Sequence, residues 1–343
     1  MRVAIVGAGV IGVTSAFAVK NAFPSYDVKI FADAFSPDTT GDGSAGLWGP
    51  FLLGNTPVDN IIRWAGCTHE WFEQLWKAGL SSKTGVSLIP VTRVTNDCKT
   101  DVDPKTWAKI VYGFQKITDE KLQRLNEEHK SNYKQGWHFI TYTAEPVLLL
   151  PWLMERFIAL GGKMEKRNIK TLHELAEEEY DLIINCSGLG ARELVADETM
   201  IPIRGQVYRV KAPWTMHCYL VDDDCCNYII PNIHSVILGG THQEGDFDRS
   251  VRKEDSKHIY DGCCRMMPSL KACQIIREWV GLRPGRPQVR LECETLSSST
   301  GKEIKVIHNY GHGGSGVTLC WGCATDVVEM IRNLKVQELN SKL

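Results

Sequence analysis

The chain has 343 residues, enough for one large or two medium domains, with 39 Lys+Arg against 41 Asp+Glu and a formal net charge of -2. Hydrophobic residues at 43% and charged residues at 23% supply a sizeable core and exclude a disordered, collagen-like or coiled-coil chain. The charge balance argues against a long basic groove for nucleic acid, no apolar run approaches the roughly 18 residues of a membrane span, and the opening MRVAIVGAGVIG meets glycines where a signal peptide would stay apolar.

In chain order, residues 2–6 (RVAIV) are a short β-branched run of the kind found in buried parallel strands. GAGVIG follows, then TSAFAVKNAF with apolar residues at helical spacing, then VKIFAD, a second strand ending at Asp33. This is a strand–turn–helix–strand unit within about thirty residues. Residues 36–57 are rich in Gly, Pro, Asp and Thr and read as a long loop. A helix is expected over 61–78, strand pieces near 86–94, a solvated surface segment over 118–135, and a helix over 148–161 closed by Gly161 and Gly162. KMEKRNIKTL reads as a strand, HELAEEEY as a short acidic helix, and DLIINCSG as a continuous apolar strand ending in Gly188. Over 201–245 the pattern changes: PIRGQVYRVKAPW, NYIIPN and SVILGGTH have the alternation of an antiparallel sheet. A helix near 254–267 follows, then REWVGLRPGRPQVRL, a strand IKVIHNY, a glycine loop GHGGSG and a helix TLCWGCATDVVEMIRNLKVQEL.

Dinucleotide-type pieces thus lie at 1–50, 145–195 and 295–343, and β-rich pieces at 51–144 and 196–294. The expected fold is mixed α/β: a Rossmann-type dinucleotide-binding domain, discontinuous in sequence, interleaved with an antiparallel β-rich substrate domain. The twelve cysteines read as small apolar residues of a chain in a reducing compartment. Cys225–Cys226 and Cys263–Cys264 are adjacent pairs without zinc spacing. Cys320 and Cys323 form a C-x-x-C inside an apolar helix with no second ligand pair, so no metal is assigned.

Gly7, Gly9 and Gly12 form G-x-G-x-x-G between a strand and a helix. The first permits the tight turn, the second lets backbone approach a pyrophosphate, and the third allows close helix–strand packing. The helix N-terminus, with Val10 and Ile11, offers free N–H groups and partial positive charge to phosphates. Asp33 ends the second strand, where an acid can bind ribose hydroxyls. A nicotinamide dehydrogenase would complete its second mononucleotide half soon after, but DLIINCSG comes far later and the chain's end supplies another glycine loop and helix. That suits a long, buried cofactor such as FAD. Gly313, Gly314 and Gly316 allow close backbone approach, and the helix from Val317 would aim its positive end at the isoalloxazine.

MRVAIVGAGVIG, FSPDTTGDGSAGLW, DLIINCSGLGAR, IPIRGQVYRVKAPW, ILGGT, VGLRPGRPQVRLE and HNYGHGGSGVTLCWG together resemble the FAD-dependent D-amino acid oxidase / D-aspartate oxidase family, in order and over nearly the whole chain. The resemblance implies oxidative deamination of D-amino acids to 2-oxo acids, ammonia and hydrogen peroxide, with non-covalent FAD and O2 as acceptor. It implies cofactor roles for Gly7, Gly9, Gly12 and Asp33, for Thr39 and Thr40, for Ala45, Gly46 and Leu47 along the flavin, for Ser187, and for Gly313, Gly314, Gly316, Val317 and Thr318. The family's basic residue after the ribose acid is Ala34 here, which weakens one adenosine-side contact. Tyr228 in NYIIP and Arg283 in GLRPGRP match the family's carboxylate-binding pair. A planar guanidinium grips a carboxylate bidentately, and a phenol hydroxyl beside it adds a donor. Arg286 and Arg290 are expected to be structural or ion-paired. The implied reaction is direct hydride transfer from the substrate Cα to flavin N5, with the Gly314 carbonyl accepting from a neutral amine.

NCSGLGAR, PDTT and REWVGLRPGRP look more like the aspartate oxidase branch, so for this chain acidic substrates (D-aspartate, D-glutamate) are slightly favoured over neutral D-amino acids. That branch uses arginines for the side-chain carboxylate. One of those positions, after G-G-T, is His242 here, and the other falls among Tyr219–Asp224, which holds no basic residue. A histidine beside an anion can be protonated and serve, and Gln243 and Arg63 are further polar candidates. A NAD-dependent dehydrogenase and a flavin-binding protein without turnover are the readings from other classes. The expected partners are a small D-amino acid and O2, with no nucleic acid and no membrane, and oligomeric state stays open.

Ser341-Lys342-Leu343 reads as a peroxisomal address taken up by an import receptor, which places the protein in the peroxisome matrix and gives peroxide production a rationale. Fluorescent fusions with and without these three residues should separate into punctate and diffuse patterns. Identical distributions would reject the assignment.

Overall fold

The computed structural model describes residues 1–96, 103–222, 226–297, 301 and 303–340. Ser341, Lys342 and Leu343 lie outside the described residues, as do Asp223, Asp224 and Cys225.

The first strand, Arg2–Val6, is fully buried beyond Arg2 because both faces of a parallel sheet are covered by helices. It pairs in parallel with Asp27–Ala32 on one side and Leu182–Asn185 on the other. Glu303–Tyr310 extends this sheet in parallel, Lys163–Lys166 closes its far side, and Arg290–Ser297 is an antiparallel edge strand. Six strands that are neighbours in space thus come from three separated stretches of sequence. The helix Val10–Ala22 is buried from Val10 to Ala16 and packs between this sheet and the long helix Gly316–Asn340.

The second sheet has nine strands among the described residues. Ile201–Lys211 is its axis: Gln243–Glu244 and Val236–Gly239 share one edge of it, and Gln274–Gly285 takes the other over its whole length. The order continues through Tyr228–Pro231, Cys218–Asp222, Ser87–Thr95, Gln135–Thr143 and Tyr112–Lys116. Pairing is antiparallel except between Ser87–Thr95 and Cys218–Asp222, which run parallel with Arg93 opposite Leu220. The sequence pattern assigns no element to REWVGLRPGRPQVRL. In the fold it is divided between the two sheets, its first part in Gln274–Gly285 and its last residues opening Arg290–Ser297.

The 118–135 stretch is a helix, Asp119–His129, in its first part and not only a solvated segment. Thr118 caps it, Asp119 and Glu120 occupy its first turn, and Lys130 ends it in the left-handed region. Only Leu122 and His129 are buried on it, so it carries too little apolar pattern to be read as a helix from periodicity. The helix Val58–Lys77 turns Ile61, Trp64, Ala65, Phe72 and Leu75 into the main core, where the Trp48 indole donates to the Ala65 carbonyl at 2.9 Å.

The two sheets are tied near the later site by Asp197. Its carboxylate accepts from Arg286 Nε at 2.9 Å, from the Tyr310 hydroxyl at 2.8 Å, and from Thr199. Arg290 completes the cluster, donating to the Tyr310 oxygen at 2.8 Å, so Arg286 and Arg290 are ion-paired as expected. Burial pushes the Asp197 acid up, but the hydrogen bonds from Thr199, Arg286 and Tyr310 outweigh it and hold the group well below its ordinary 3.8. A carboxylate depressed on folding contributes stability that is complete above the unfolded value and lost as pH falls below it. Asp197→Asn should therefore destabilise the protein by about 1–3 kcal/mol at neutral pH. It should also flatten the loss of melting temperature as pH falls below 3.8. Parallel acid profiles of wild type and variant would contradict this role.

Candidate active site

One cavity of about 550 Å³ runs along the carboxyl ends of the first sheet and opens onto the second. At one end it is walled by Gly7–Ile11, Asp33, Ala34, Thr39 and Thr40, and in its middle by Ala45–Leu47 and Ser187. At the other end stand Tyr228, His242, Arg283 and the Gly311–Gly314 loop. Expected site residues from every separated stretch thus converge on one surface. Gly12 and Thr318 lie just behind the lining.

The phosphate end follows from backbone geometry. Gly7 has φ +107°, and a Cβ there would stand 2.3 Å from the Cys186 carbonyl oxygen. A Cβ on Gly12 would stand 1.9 Å from the Gly7 oxygen, so this glycine lets the helix close onto the turn. Over Gly9 there is open space, as a ligand approaching the helix N-terminus requires. The 36–44 loop is fixed by Asp42, whose carboxylate accepts from the Thr39 N–H at 2.9 Å, the Thr39 hydroxyl at 2.6 Å and the Ser36 hydroxyl at 2.5 Å. The Thr-x-x-Asp spacing of Thr39 and Asp42 is a capping-box signal that points to this anchor. On the strand Leu182–Asn185, the Asn185 side chain receives the Ser187 N–H at 3.1 Å and hydroxyl at 2.7 Å, which sets Ser187 on the lining.

The C-terminal loop is held against 49–51. Thr318 Oγ1 bonds both backbone groups of Gly49 at 3.1 Å, and Ser315 Oγ accepts from the Phe51 N–H at 2.7 Å and donates to the Phe51 carbonyl at 2.8 Å. Thr318 therefore positions this wall through Gly49. Burial holds the His312 imidazole down at about 3, so its ring is neutral. Cys320 and Cys323 are fully buried in the following helix, and burial pushes the Cys320 thiol up to about 12, as befits packing groups.

The substrate end is built on glycines of the second sheet. Arg283, on Gln274–Gly285, reaches across Gly205 of the paired strand and donates from Nη1 to the Thr241 carbonyl at 2.9 Å. A Cβ on Gly205 would stand 2.4 Å from that nitrogen. The Tyr228 ring lies across Gly239 and Gly240, and a Cβ on Gly239 would meet it at 2.0 Å. Burial pushes the Tyr228 phenol up while the Arg283 charge pulls it down, and burial prevails, so at neutral pH the hydroxyl is protonated. A guanidinium and a phenol thus share one wall, both laid flat by missing side chains. His242 lies close by, with Nε2 3.9 Å from Cys226 Sγ.

Arg63 is far from this wall, ion-paired with Asp326 on the helix Gly316–Asn340. Gln243 is turned to Asp255 and Arg204 and lies behind the lining. Four lining residues had no motif to announce them. Arg93 and Asp222 form an ion pair there, and Arg93 faces the cavity opposite Leu220 because two distant strands pair in parallel. Trp279 packs its ring over Gly43 and Gly281, and Arg249 comes from the loop after Gln243–Glu244.

The lining fits a long dinucleotide with a polar ring system. Beyond the open space over Gly9, Ser44 Oγ, Asn309 Oδ1 and His312 Nε2 are buried on it without a hydrogen-bond partner among the described residues. Residues 2–330 match the model of the FAD dependent oxidoreductase family, and the chain belongs to that family, in its D-amino acid oxidase / D-aspartate oxidase group. FAD is its cofactor. Among curated relatives, human D-aspartate oxidase is 37% identical, covering 96% of this chain and 94% of its own length. D-amino acid oxidase of the planarian Dugesia ryukyuensis is 35% identical over 97% of this chain and 98% of its own. Iminodiacetate oxidase from Chelativorans sp. BNC1 shares the fold at a TM-score of 0.74 and 18% identity, covering 97% of this chain and 95% of that one.

Gly205→Ala tests the substrate wall without touching the cofactor motifs. It should displace the Arg283 guanidinium and weaken substrate binding by about tenfold or more, while bound flavin per protein stays at the wild-type level. Unchanged KM and reduction rate would show that Arg283 is not held where the geometry sets it.

Proposed function

We propose that the protein oxidatively deaminates D-amino acids, with acidic side chains favoured, giving the 2-oxo acid, ammonia and hydrogen peroxide. The observation that carries this reading is the meeting of Arg283 and Tyr228 on one wall of the cavity whose other walls are the cofactor motifs. Gly7–Ile11, Asp33, Ala45–Leu47 and Gly313–Val317 would hold FAD, which would supply two-electron acceptance from the substrate Cα–H and delivery of those electrons to O2.

Arg283 takes the α-carboxylate through its planar fork, and the Tyr228 hydroxyl donates to the same group. With the carboxylate fixed, a backbone carbonyl of the 313–314 turn accepts from the amine. The amine must be neutral so that its lone pair forms the C=N bond as the Cα hydride leaves. With carboxylate and amine both fixed, only one Cα substituent would face the wall of Ala45–Leu47 and Gly313–Val317 where FAD would lie, so the site would accept one enantiomer. The imine hydrolyses in water to the 2-oxo acid and ammonia. The curated relatives named above divide between aspartate and general D-amino acid oxidases. The NCSGLGAR, PDTT and REWVGLRPGRP strings favour the acidic branch here, and His242 stands where that branch has an arginine. The same proposal assigns 1–50, 145–195 and 295–343 to cofactor binding and 51–144 with 196–294 to substrate binding, and a peroxide-forming enzyme gives the S-K-L address its use.

Arg283→Ala tests the reading. It removes a charge-assisted contact and leaves a carboxylate without its partner, a loss of about 2–5 kcal/mol, or roughly 30- to 5000-fold at about 1.4 kcal/mol per tenfold. Anaerobic stopped-flow reduction should show both weaker binding and slower reduction, with flavin content retained. Arg283→Lys should recover only part, because a point charge does not reproduce the fork. His242→Ala should lower D-aspartate turnover more than D-alanine turnover. Near-wild-type binding and reduction in Arg283→Ala would remove the α-carboxylate handle and this reading with it.

A further inference from the structure

We propose that Arg249 is the specificity-determining residue that receives the side-chain carboxylate of an acidic D-amino acid, presented to the cavity by a loop clamped on the buried guanidinium of Arg204. The inference rests on the acidic reading above and adds the group that would make the site acidic.

Arg204 is fully buried at the middle of the second sheet's axis strand, and all five of its N–H groups are used. Nε donates to the Asp248 carbonyl at 2.9 Å and Nη2 to the Ser250 carbonyl at 2.7 Å, one on each side of Arg249. Its remaining donors meet Gln243 Oε1 and Asp255 Oδ2 at 2.7 Å and Gln206 Oε1 at 2.8 Å. A second set of bonds closes the loop on itself. Asp248 Oδ1 accepts from the Ser250 N–H at 2.8 Å, and Arg252 donates to Asp248 Oδ2 at 2.9 Å and to Asp246 Oδ2 at 2.5 Å. The Gly245 N–H is tied to the Pro202 carbonyl at 2.8 Å. The backbone on either side of Arg249 is therefore fixed from below by a buried charge and from the side by ion pairs.

The loop's two acidic residues, Asp246 and Asp248, are both ion-paired with Arg252. Arg249 is the exception. Its side chain is exposed, lies on the cavity lining, and has no partner among the described residues. The other two arginines of the lining are committed: Arg93 is paired with Asp222, and Arg283 stands beside Tyr228 as the α-carboxylate handle. An unpaired guanidinium carried on a fixed backbone, on the same cavity as the α-carboxylate receptor, is complementary to a dicarboxylate and supplies the second arginine that the Tyr219–Asp224 stretch lacks. His242 lies on the same lining.

The test compares D-aspartate with D-asparagine, which has the same shape and no side-chain charge, on the FAD-bound wild type, Arg249→Ala and Arg249→Lys. The wild type should prefer D-aspartate. Arg249→Ala should lower the ratio of kcat/KM for D-aspartate over D-asparagine by about tenfold, in keeping with a partly exposed charge contact. Arg249→Lys should keep part of the ratio. Added salt should raise the D-aspartate KM of wild type more than that of Arg249→Ala. A wild-type preference for D-aspartate that survives unchanged in Arg249→Ala would overturn this inference and leave the acidic reading standing. A wild type indifferent to the side-chain charge would overturn both.

Discussion

A guanidinium lying flat across a strand that has no side chain at the crossing is the constraint on which the site depends. Arg283 can reach the Thr241 carbonyl, 2.9 Å away, only because Gly205 intervenes. Any Cβ there would push the charged group off the wall. The same device seats Tyr228 over Gly239. Close packing makes such positions bistable and not adjustable: interiors tolerate little extra volume, and a displaced handle misorients the reacting carbon. The second sheet is thus shaped less by what it buries than by what it leaves out at these crossings.

Alignment of that wall with the cofactor surface requires the two sheets to be fixed to one another. The Asp197, Arg286, Arg290 and Tyr310 cluster does this where Arg283 and the Gly311–Gly314 loop are nearest in sequence to it. Ser315 and Thr318 then lock the loop to residues 49–51 from the other side. Each contact is ordinary, worth about a kcal/mol or so, and together they hold pieces of chain hundreds of residues apart around one cavity. Discontinuity in sequence is the consequence: strands that must be adjacent to build the cofactor sheet are separated by the segments that build the substrate wall.

What was legible in the sequence is what depends on near neighbours. The 2–33 unit announces itself through glycine spacing and two apolar runs, and Gly7, Gly9 and Asp33 stand on the cavity as those motifs imply. The GHGGSG loop and Arg283 were legible through long specific strings. Pairing across distance was not. Arg93 faces the cavity because its strand runs beside Cys218–Asp222, a register no local pattern encodes. Arg204 and Arg249 look like two unremarkable arginines until the fold sets one beneath the other's loop. The Asp119–His129 helix escaped periodicity because it buries almost nothing.

The central claim is that this cavity holds FAD beside a receptor for the carboxylate of a D-amino acid. The most direct measurement is to mix the purified, FAD-bound protein anaerobically with D-aspartate, D-alanine or L-aspartate and follow the visible band of the oxidised flavin. The account predicts rapid bleaching by the D-amino acids, faster with D-aspartate, no bleaching by L-aspartate, and recovery of the band when O2 is admitted. A flavin that stays oxidised with every D-amino acid, or that L-aspartate bleaches equally well, would contradict it.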